Sequence, residues 1–389
     1  MFMPWNLKQG MDPPLLASGG STCIVPAPTP RMSGGSRNHY LRLLAGEPRG
    51  LWPALQRFGL RAASLPYGMT MRLRNVAYQR GWLRSERVPV PVVSVGNLTA
   101  GGTGKTPCVE YVARFYRGLD RRVAILSRGY GSAGGRNDEA LVLEENLPDV
   151  PHLQGADRVA LAHTAIEELE SEILVLDDGF QHRRLVRDLD LVLVDATAPW
   201  GHGYLLPRGL LREPRSGLRR ASVVVLTRCD QAPTDQRQRL RQTISHLAPD
   251  VPVIETSHGP VDLSNGEEAS APLDRLREGP VAAFCGIGNP QAFRRTLLDR
   301  RADVIAFREY PDHHGYSRED VEDLRRWAGS LPAGTAIVTT QKDLVKLRLS
   351  RLGDRPLWCL RIRLRVESGQ DVLDERLLSA IRYPRSAIR

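Results

Sequence analysis

A glycine-rich turn followed by a lysine and a threonine carries the clearest chemical signal in this 389-residue chain. Gly101, Gly102 and Gly104 lead into Lys105 and Thr106, and a short apolar run precedes them. Backbone N–H groups in such a turn can surround a phosphate, the lysine can reach the β- and γ-phosphates, and the threonine hydroxyl can bind Mg²⁺. The pattern therefore predicts a Mg-ATP site at the start of a helix.

The turn departs from the usual GxxxxGK(S/T) phosphate-loop pattern at its first glycine, which is Thr99 here. The apolar run before the turn and the helix after it, in whose first turn Pro107 fits well, still favour a phosphate loop over a chance glycine-rich turn. The predicted nucleotide-binding residues are Thr99, Ala100, Gly101, Gly102, Thr103, Gly104, Lys105 and Thr106.

Two adjacent carboxylates, Asp177 and Asp178, follow the apolar run of residues 173–176. A strand that ends in acidic residues is typical of the Walker-B element, which holds Mg²⁺ directly or through water. We therefore predict a magnesium site made by Thr106 with Asp177 or Asp178. A helix cap is the alternative for a strand-end aspartate, and Asp195 is a weaker candidate of the same kind.

Short runs of valine, isoleucine and leucine alternate with helical stretches from residue 90 onward. Runs that are apolar on both faces are typical of strands buried in a parallel sheet, with the helices as crossovers. The pattern predicts an α/β fold with a doubly wound, mostly parallel sheet of the P-loop NTPase type. The runs of this first series are residues 92–95, 123–126, 173–176, 191–194, 223–226 and 251–254.

A second and shorter series of runs follows a polar, proline-containing stretch at residues 257–280. Its members are residues 281–285, 304–307, 336–339 and 357–364. We therefore predict a nucleotide-binding domain over residues 89–275 and a smaller α/β domain over residues 276–389.

The first 38 residues are rich in Gly, Pro and Ser and have no apolar periodicity, which predicts a disordered extension over residues 1–38. Met32 offers an alternative translation start. Mass spectrometry of the native N-terminus would decide between the two starts.

Residues 39–88 form a basic amphipathic segment, in which apolar and aromatic side chains alternate with arginines from Leu51 to Leu83. Such a segment either lies at an anionic membrane surface or packs on the core as an ordinary helix. Pro53 and Pro66 should break it into pieces.

The overall composition points to an anionic partner. With a formal net charge of +10 and a pI near 9.7, nucleic acid, an anionic membrane surface and a phosphorylated substrate are all open. The five cysteines lack metal-binding spacing and indicate reduced thiols. No run reaches the roughly 18 consecutive apolar residues of a membrane-spanning helix, so we expect any membrane contact to be peripheral.

The stretch after the fifth apolar run argues against a switch-type GTPase. A GTPase would normally show Asn-Lys-x-Asp there, whereas residues 223–230 read VVVLTRCD, so Thr227, Arg228 and Asp230 are only a loose echo. The extra lysine that partitioning-type ATPases carry early in the loop is also missing.

Eight motifs in order along the chain resemble those of the tetraacyldisaccharide 4'-kinase family, the lipid A 4'-kinases. This resemblance covers the chain from about residue 51 to its C-terminus, and residues 1–38 have no counterpart in it. The motifs are residues 94–107, 127–131, 137–139, 177–182, 203–214, 284–288, 311–314 and 340–343.

The resemblance implies an ATP-dependent lipid kinase that uses Mg²⁺. It implies transfer of the γ-phosphoryl group to the 4'-hydroxyl of an acylated glucosamine disaccharide 1-phosphate in lipid A biosynthesis. The expected location is the cytoplasmic face of a Gram-negative inner membrane, as a peripheral protein. An anionic lipid substrate would account for the basic charge and for the segment 39–88.

The resemblance also implies catalytic residues. Asp138 matches an aspartate that takes or directs the proton of the acceptor hydroxyl, and Lys105 stabilises phosphate charge. His313 matches a supporting histidine from the second domain, with His314 as the alternative. Without the resemblance, Asp138 would be a surface loop residue and the histidines a solvated turn.

Five further residues are candidate substrate contacts, and Arg128 could equally form a structural salt bridge. They are Arg128, Gln181, His182, Arg208 and Arg212. Gln341 departs from the family pattern, since a glutamate is expected there, whereas Lys342 and Asp343 match it.

Two other functions compete with the lipid kinase. One is a membrane-attached P-loop nucleotide switch, against which the missing guanine motif and Asp138 argue. The other is a nucleic-acid-binding ATPase, which would show aromatic and glycine-rich binding motifs that this sequence lacks. We therefore expect a monomer with a lipid substrate and no nucleic-acid partner.

Overall fold

The computed structural model describes residues 34–129, 138–266 and 269–382, and a single thirteen-stranded sheet runs through them. The strands are β1 Val92–Asn97, β2 Val123–Ser127, β3 His152–Gln154, β4 Ile173–Asp177, β5 Leu189–Asp195, β6 Val223–Thr227, β7 Val253–Ser264, β8 Ser270–Ala271, β9 Pro280–Cys285, β10 Asp303–Glu309, β11 Ala336–Thr340, β12 Arg351–Leu352 and β13 Arg355–Ser368. The helices are α1 Gly34–Ala45, α2 Leu51–Gln79, α3 Lys105–Arg117, α4 Asp138–Asn146, α5 Arg158–Glu167, α6 Thr234–Leu247, α7 Pro290–Asp299, α8 Arg318–Ser330, α9 Gln341–Leu347 and α10 Gln370–Arg382.

The strands lie in the order β10-β9-β11-β13-β7-β6-β5-β1-β4-β2-β3, with β8 beside β7 and β12 beside β13. Neighbours from β7 to β3 pair in parallel, as do β10, β9, β11 and β13. The long antiparallel pairing in the described chain joins β7 to β13. The prediction of a mostly parallel α/β sheet is therefore confirmed.

The strands of the first series are apolar throughout because helices cover both faces of the sheet. All six residues of β1 are buried. Val93 belongs to a core cluster with α3 and α10, whereas Val92 belongs to a cluster with α5. The carboxyl ends of these strands are therefore held by a closely packed core, and they fix the positions of the loops that follow.

The polar stretch at residues 257–280, after which the sequence predicted a second domain, contains the end of β7 and the strand β8. β7 continues to Ser264, and its pairs with β13 extend from Glu255↔Ser368 to Ser264↔Cys359. Residues 258–262 of β7 are partly buried or exposed, so this part of the strand is not an apolar run. One sheet joins both series of strands, and the division between residues 275 and 276 stays a prediction.

The C-terminal helix packs on the first series. α10 buries Leu373, Leu377 and Ala380 in the same core cluster as β1 and α3. The Tyr116 hydroxyl on α3 donates a 2.9 Å hydrogen bond to the Leu377 carbonyl. The end of the chain therefore completes the core around β1.

The prediction that Pro53 and Pro66 break the amphipathic segment was wrong, because α2 is one helix of 29 residues. Pro53 lies in the first turn, where the missing N–H needs no partner within the helix. Near Pro66, the Ser64 hydroxyl bonds the Leu205 carbonyl at 3.0 Å, and the buried Gly68 contacts the same leucine. These tertiary contacts hold the helix together across the proline.

The predicted extension lies mostly outside the described residues. Residues 1–33 are not among them, and α1 begins at Gly34, within the extension predicted for residues 1–38. In the described ranges, no helix has the length and apolarity that a membrane span requires.

Candidate active site

The phosphate loop joins β1 to α3 and takes left-handed backbone conformations at Gly101 and Gly104, whose φ angles are 129° and 85°. Thr99, in contrast, forms an antiparallel bridge with Leu211. Because this position is extended, it has no need of the conformational freedom of glycine. The missing first glycine of the sequence pattern is therefore compatible with the loop.

Side chains from neighbouring strands hold the loop in shape. Asn97 donates a 2.8 Å hydrogen bond to the Thr103 hydroxyl, and the Thr227 hydroxyl donates one of 2.9 Å to the Thr103 carbonyl. The Arg228 guanidinium bonds the Gly102 carbonyl at 2.8 Å. The residues that loosely echo a guanine motif in the sequence thus brace the loop from the end of β6.

His258 of β7 packs directly on the loop, a contact that the sequence did not predict. A Cβ atom at Gly104 would lie 2.6 Å from its Nε2 atom. Burial, together with the charge of Arg228, lowers the pKa of His258 to about 4, so the ring is neutral at physiological pH. Glycine is therefore required at position 104 for two reasons. Its left-handed backbone conformation favours glycine, and the His258 ring leaves no room for a side chain.

Lys105 and Arg212 converge on Asp178. The Lys105 Nζ lies 3.6 Å from Asp178 Oδ1, and an Arg212 nitrogen lies 2.8 and 2.7 Å from the two carboxylate oxygens. Burial alone would raise the pKa of Asp178, but the two cations outweigh it and hold the pKa below its usual value. Asp178 is therefore a carboxylate already neutralised by protein cations.

Asp177 is in the opposite condition. Its Oδ1 atom is buried and has no hydrogen-bond partner within the described chain. Burial raises its pKa to about 6, although the charge of Lys105 acts against this. A buried carboxylate oxygen without a partner fits a bound cation, and of the two predicted metal carboxylates this is the one with a free oxygen.

Thr106 is the other predicted metal ligand and is 7% exposed. The described residues contain no group of three His, Cys, Asp or Glu side chains that could hold a metal ion. A magnesium ion here would therefore take much of its coordination from water and phosphate oxygens, as this ion commonly does. Asp195 is already engaged, by Arg228 and by the backbone and hydroxyl of Thr197.

Arg158, at the start of α5, is a site residue that the sequence motifs missed. It is 6% exposed, and the charges of Asp177 and Asp178 act on it. Burial lowers its pKa first, and the charge of Arg128 lowers it further, so Arg128 also lies near this cluster. No local pattern marks Arg158, because only the parallel pairing of β4 with β2 brings its helix to the two carboxylates.

Gln181 and His182 follow the two carboxylates. The Gln181 amide donates a 2.9 Å hydrogen bond to the Asn97 carbonyl, and its oxygen lies 3.4 Å from an Arg212 nitrogen. Burial lowers the pKa of His182 to about 4, with Arg158 adding to the effect. The structure thus brings Gln181, His182 and Arg212 to the predicted metal site.

Arg208 is placed apart from these residues. Its guanidinium bonds the Leu44 carbonyl at 3.1 Å and lies over the Tyr204 ring, 4.5 Å from the ring centroid. Its backbone N–H bonds the Ser64 hydroxyl of α2. Arg208 thus contacts α1 and α2 and not the carboxylates.

Asp138, the first residue of α4, meets His313 across the molecule. His313 Nδ1 lies 3.1 Å from Asp138 Oδ2. Burial tends to raise the pKa of Asp138, but the bond to His313 and the charge of Lys346 lower it overall. The same bond raises the pKa of His313. The two residues therefore favour an ionised carboxylate beside an imidazolium.

His314 has a different partner. Its Nε2 lies 3.1 Å from Asp320, which caps α8 together with Ser317, and its ring stacks on Tyr310 with centroids 4.8 Å apart. His314 belongs to the packing of the second series. His313 is therefore the histidine that meets Asp138.

The family to which this molecule belongs follows from its sequence matches. Residues 56–382 match the model of the family described as Tetraacyldisaccharide-1-P 4'-kinase. The chain belongs to this family. It is therefore a kinase.

Sequence relatives and a solved structure support membership of this family. A tetraacyldisaccharide 4'-kinase from Anaeromyxobacter sp. (strain Fw109-5) is 42% identical over 326 residues, 79% of this chain and 87% of the relative. One from Syntrophus aciditrophicus (strain SB) is 39% identical, over 79% of this chain and 89% of the relative. The "apo" form of LpxK from Aquifex aeolicus in complex with ATP is 30% identical, with a TM-score of 0.68 over 84% of this chain and 99% of that one.

In this kinase, one face of α2 lies against the active-site residues. The Tyr67 hydroxyl bonds the Arg212 carbonyl at 2.9 Å, and Arg74 bonds the Gln181 carbonyl at 2.7 Å. The opposite face is exposed and apolar, in a stripe spaced mainly three or four residues apart. Its members are Leu51, Trp52, Leu55, Phe58, Leu65, Met69 and Leu73, and each is at least 52% exposed.

Proposed function

We propose that this kinase transfers the γ-phosphoryl group of Mg-ATP to the 4'-hydroxyl of a tetraacyldisaccharide 1-phosphate, in lipid A biosynthesis. The contact of Asp138 with His313 carries the proposal, because phosphoryl transfer to an alcohol needs a group that takes the hydroxyl proton. The names of the relatives, tetraacyldisaccharide 4'-kinase, support the same acceptor and position.

The loop and its neighbours would hold the nucleotide. Within the predicted loop of residues 99–106, the N–H groups from Gly101 onward would surround phosphate oxygens, because the Ala100 N–H already bonds the Leu210 carbonyl. Lys105 would leave Asp178 to reach the β- and γ-phosphates. Thr106 and Asp177 would hold Mg²⁺, with Asp178 beside them. The ion supplies charge neutralisation between the β- and γ-phosphates when it is bound.

Asp138 would act as the base. One of its carboxylate oxygens takes the proton of the attacking 4'-hydroxyl while His313 orients the carboxylate. The guanidinium groups of Arg158 and Arg212, which act on the two carboxylates, would stabilise negative charge that develops on the transferred group. Arg128, Gln181 and His182 remain candidate contacts to phosphate or sugar.

The acceptor would reach the site from a membrane. The exposed stripe of α2 provides apolar side chains for the lipid interface, and Arg61 and Arg72 on the same helix provide cations for anionic headgroups. Arg208, which contacts this helix, would bind a headgroup or the substrate's 1-phosphate. We propose a peripheral monomer at the cytoplasmic face of a Gram-negative inner membrane, the location that the family resemblance implies.

Transfer of labelled γ-phosphate to the tetraacyldisaccharide 1-phosphate in detergent micelles tests the reaction. The wild type should label the lipid, and Asp138→Asn should lose about 10²- to 10⁴-fold in kcat while still binding ATP. ATP hydrolysis without label on the lipid would instead support the membrane-attached switch. Retention on nucleic acid that falls steeply with salt would support the nucleic-acid-binding ATPase.

Vesicle sedimentation tests the membrane contact. Phe58→Ser with Leu65→Ser should reduce binding to vesicles that contain anionic lipid. Leu119→Ser, a change of another exposed leucine outside α2, is the matched control and should leave vesicle binding unchanged. If the double variant and the control bind vesicles equally well, the apolar stripe has no role in membrane binding.

A further inference from the structure

Lys346 is a buried cation between two carboxylates beside the proposed base. Its side chain on α9 is 10% exposed, and its Nζ lies 3.4 Å from Asp138 Oδ2 and 3.2 Å from Asp343 Oδ1. The ring of Tyr316 lies beneath it, 5.6 Å from Nζ to the centroid. Burying an ammonium group is costly without such partners, so this position is set by the two carboxylates.

Asp343 is the fixed end of this arrangement. Its side chain is fully buried, and its oxygens accept hydrogen bonds from the Gly286 N–H at 3.0 Å, the Thr340 hydroxyl at 2.6 Å and the Tyr316 hydroxyl at 3.1 Å. Three neutral donors and one cation leave Asp343 little freedom. Lys346, one turn further along α9, is therefore anchored at a set place.

The contacts close into a ring. Gly286 donates its N–H to Asp343 and accepts at its carbonyl the backbone N–H of His313, at 3.1 Å. His313 contacts Asp138, Asp138 contacts Lys346, and Lys346 contacts Asp343. Asp343 thus places both partners of Asp138, one through a peptide group and the other through an ammonium group.

The two partners of Asp138 differ in mobility and charge. The His313 side chain is 50% exposed and its charge depends on protonation, whereas the ammonium group of Lys346 belongs to a side chain that is only 10% exposed. Lys346 is therefore better suited than His313 to hold the Asp138 carboxylate in place while the hydroxyl proton is transferred. The charged groups around Asp138 are Glu139 on α4, Asp312 and His313 on the loop before α8, and Lys342, Asp343 and Lys346 on α9.

We propose that Lys346 is a positioning residue of the phosphoryl transfer. Its ammonium group, anchored on Asp343, holds the Asp138 carboxylate ionised and directed towards the acceptor hydroxyl. This inference rests on the role proposed above for Asp138.

Neutral variants of Lys346 test the inference through turnover and its pH dependence. Lys346→Met should lower kcat about 10- to 100-fold while leaving the KM for ATP near the wild-type value. The ammonium charge lowers the pKa of Asp138, so its removal raises that pKa. The acid limb of the kcat profile should therefore move to higher pH.

Two more substitutions at this position keep the test decisive. Lys346→Gln replaces the ammonium group with a neutral amide that can donate hydrogen bonds, so it should tolerate this position between two carboxylates better than methionine does, and it should show the same shift of the acid limb. Lys346→Arg keeps the charge and should keep the limb at its wild-type pH with partial activity. A limb that stays in place in Lys346→Gln would overturn the proposal.

Lys342→Met is the matched control, because Lys342 also joins α9 to α4, through a 2.7 Å contact with Glu139. It should lose stability like the other variants but move the acid limb less than Lys346→Gln does, because Lys342 is paired with Glu139 and not with Asp138. An equal shift in this control would show a general effect of loosened helices and overturn the role of Lys346.

Asp138→Asn separates this inference from the proposed reaction. If Asp138→Asn keeps wild-type turnover, the assignment of the base fails. If it is inactive while Lys346→Met and Lys346→Gln keep the wild-type kcat and acid limb, the base stands and the inference about Lys346 fails.

Discussion

The phosphate-loop side of the active site and the Asp138 side are held together by different contacts. On the loop side, backbone hydrogen bonds join Ala100 to Leu210 and Arg212 to Leu98, each at 2.7 Å. On the other side, α4 and α9 meet through side chains, with Asp138 against Lys346 and Glu139 against Lys342. The nucleotide site is therefore built into one set of strands, whereas the proposed base depends on the contact of two parts of the chain.

Lys105→Ala tests the loop side through its effect on turnover. The loss of one cation that stabilises the transferred charge should lower kcat about 10²- to 10³-fold, as removal of a single stabilising donor does elsewhere. Label transfer to the lipid measures it. Arg114→Ala, on the same helix but paired with Glu110, is the control and should stay within a fewfold of the wild type. Comparable losses would mean that α3 as a whole, and not Lys105, is at fault.

Asp177→Asn should separate metal binding from stability. The native-state pKa of Asp177 is raised from 3.8 to about 6, so the metal-free protein loses stability as the pH rises from about 4 to about 6 and stays less stable above that range. The asparagine variant should have a higher Tm than the wild type near neutral pH in the absence of Mg²⁺, and this gain should vanish below about pH 4. Turnover should be lost, and Mg²⁺ should no longer raise the Tm.

Asp178→Asn is the contrasting variant. It leaves Lys105 and Arg212 without their carboxylate, so its Tm should fall. If the two asparagine variants change Tm in the same direction, the distinction between a free and a neutralised carboxylate is wrong.

Gly104→Ala tests the packing of the loop against His258. A side chain in this left-handed conformation costs about 1–2 kcal/mol before the contact with the ring is counted. Gly102→Ala should be nearly neutral in stability, because its added Cβ would meet no described atom within 4 Å. Urea unfolding of both variants gives the difference, and similar losses would argue against the His258 contact.

Gln341→Glu tests the Asp138 side and should have the smallest effect. Gln341 donates hydrogen bonds to Asn146 at 2.7 Å and to Glu145 at 3.2 Å. A glutamate, the residue that the family resemblance leads one to expect, would face Glu145, whose pKa burial already raises. We expect a loss of about 1 kcal/mol at neutral pH that diminishes on acidification. Gln341→Met controls for the lost donor alone.

The sequence predicted those parts of the fold whose burial can be inferred from a short segment alone. The run at residues 92–95 is apolar on both faces because β1 lies in the interior of the sheet. The glycines that the following turn requires can be read in the sequence. The second half of β7 escaped detection because residues 258–262 are only partly buried or exposed and include Gly259 and Pro260, so they form no apolar run. Its strand character comes from β13, about 100 residues further along the chain.

The site was predictable to the extent that its residues stand in motifs. Asp177 and Lys105 were predicted from adjacent residues, and Asp138 and His313 from a family pattern. Arg158, Lys346 and His258 were missed because long-range pairing alone brings them to the site. The unbroken helix at Pro66 was missed for a similar reason, since contacts with residue 205 hold it.

The packing of α10 on α3 also affects the order of folding during synthesis. Chains leave the ribosome from their N-terminus, and early domains commonly fold before later ones appear. Here Leu373, Leu377 and Ala380 complete the core around β1. Until α10 has been synthesised, the strands and α3 of this core therefore expose an apolar face to water. A ribosome that stalls before residue 370 would therefore release a chain that contains every phosphate-binding residue but is prone to aggregate, and quality control should treat it as unfolded.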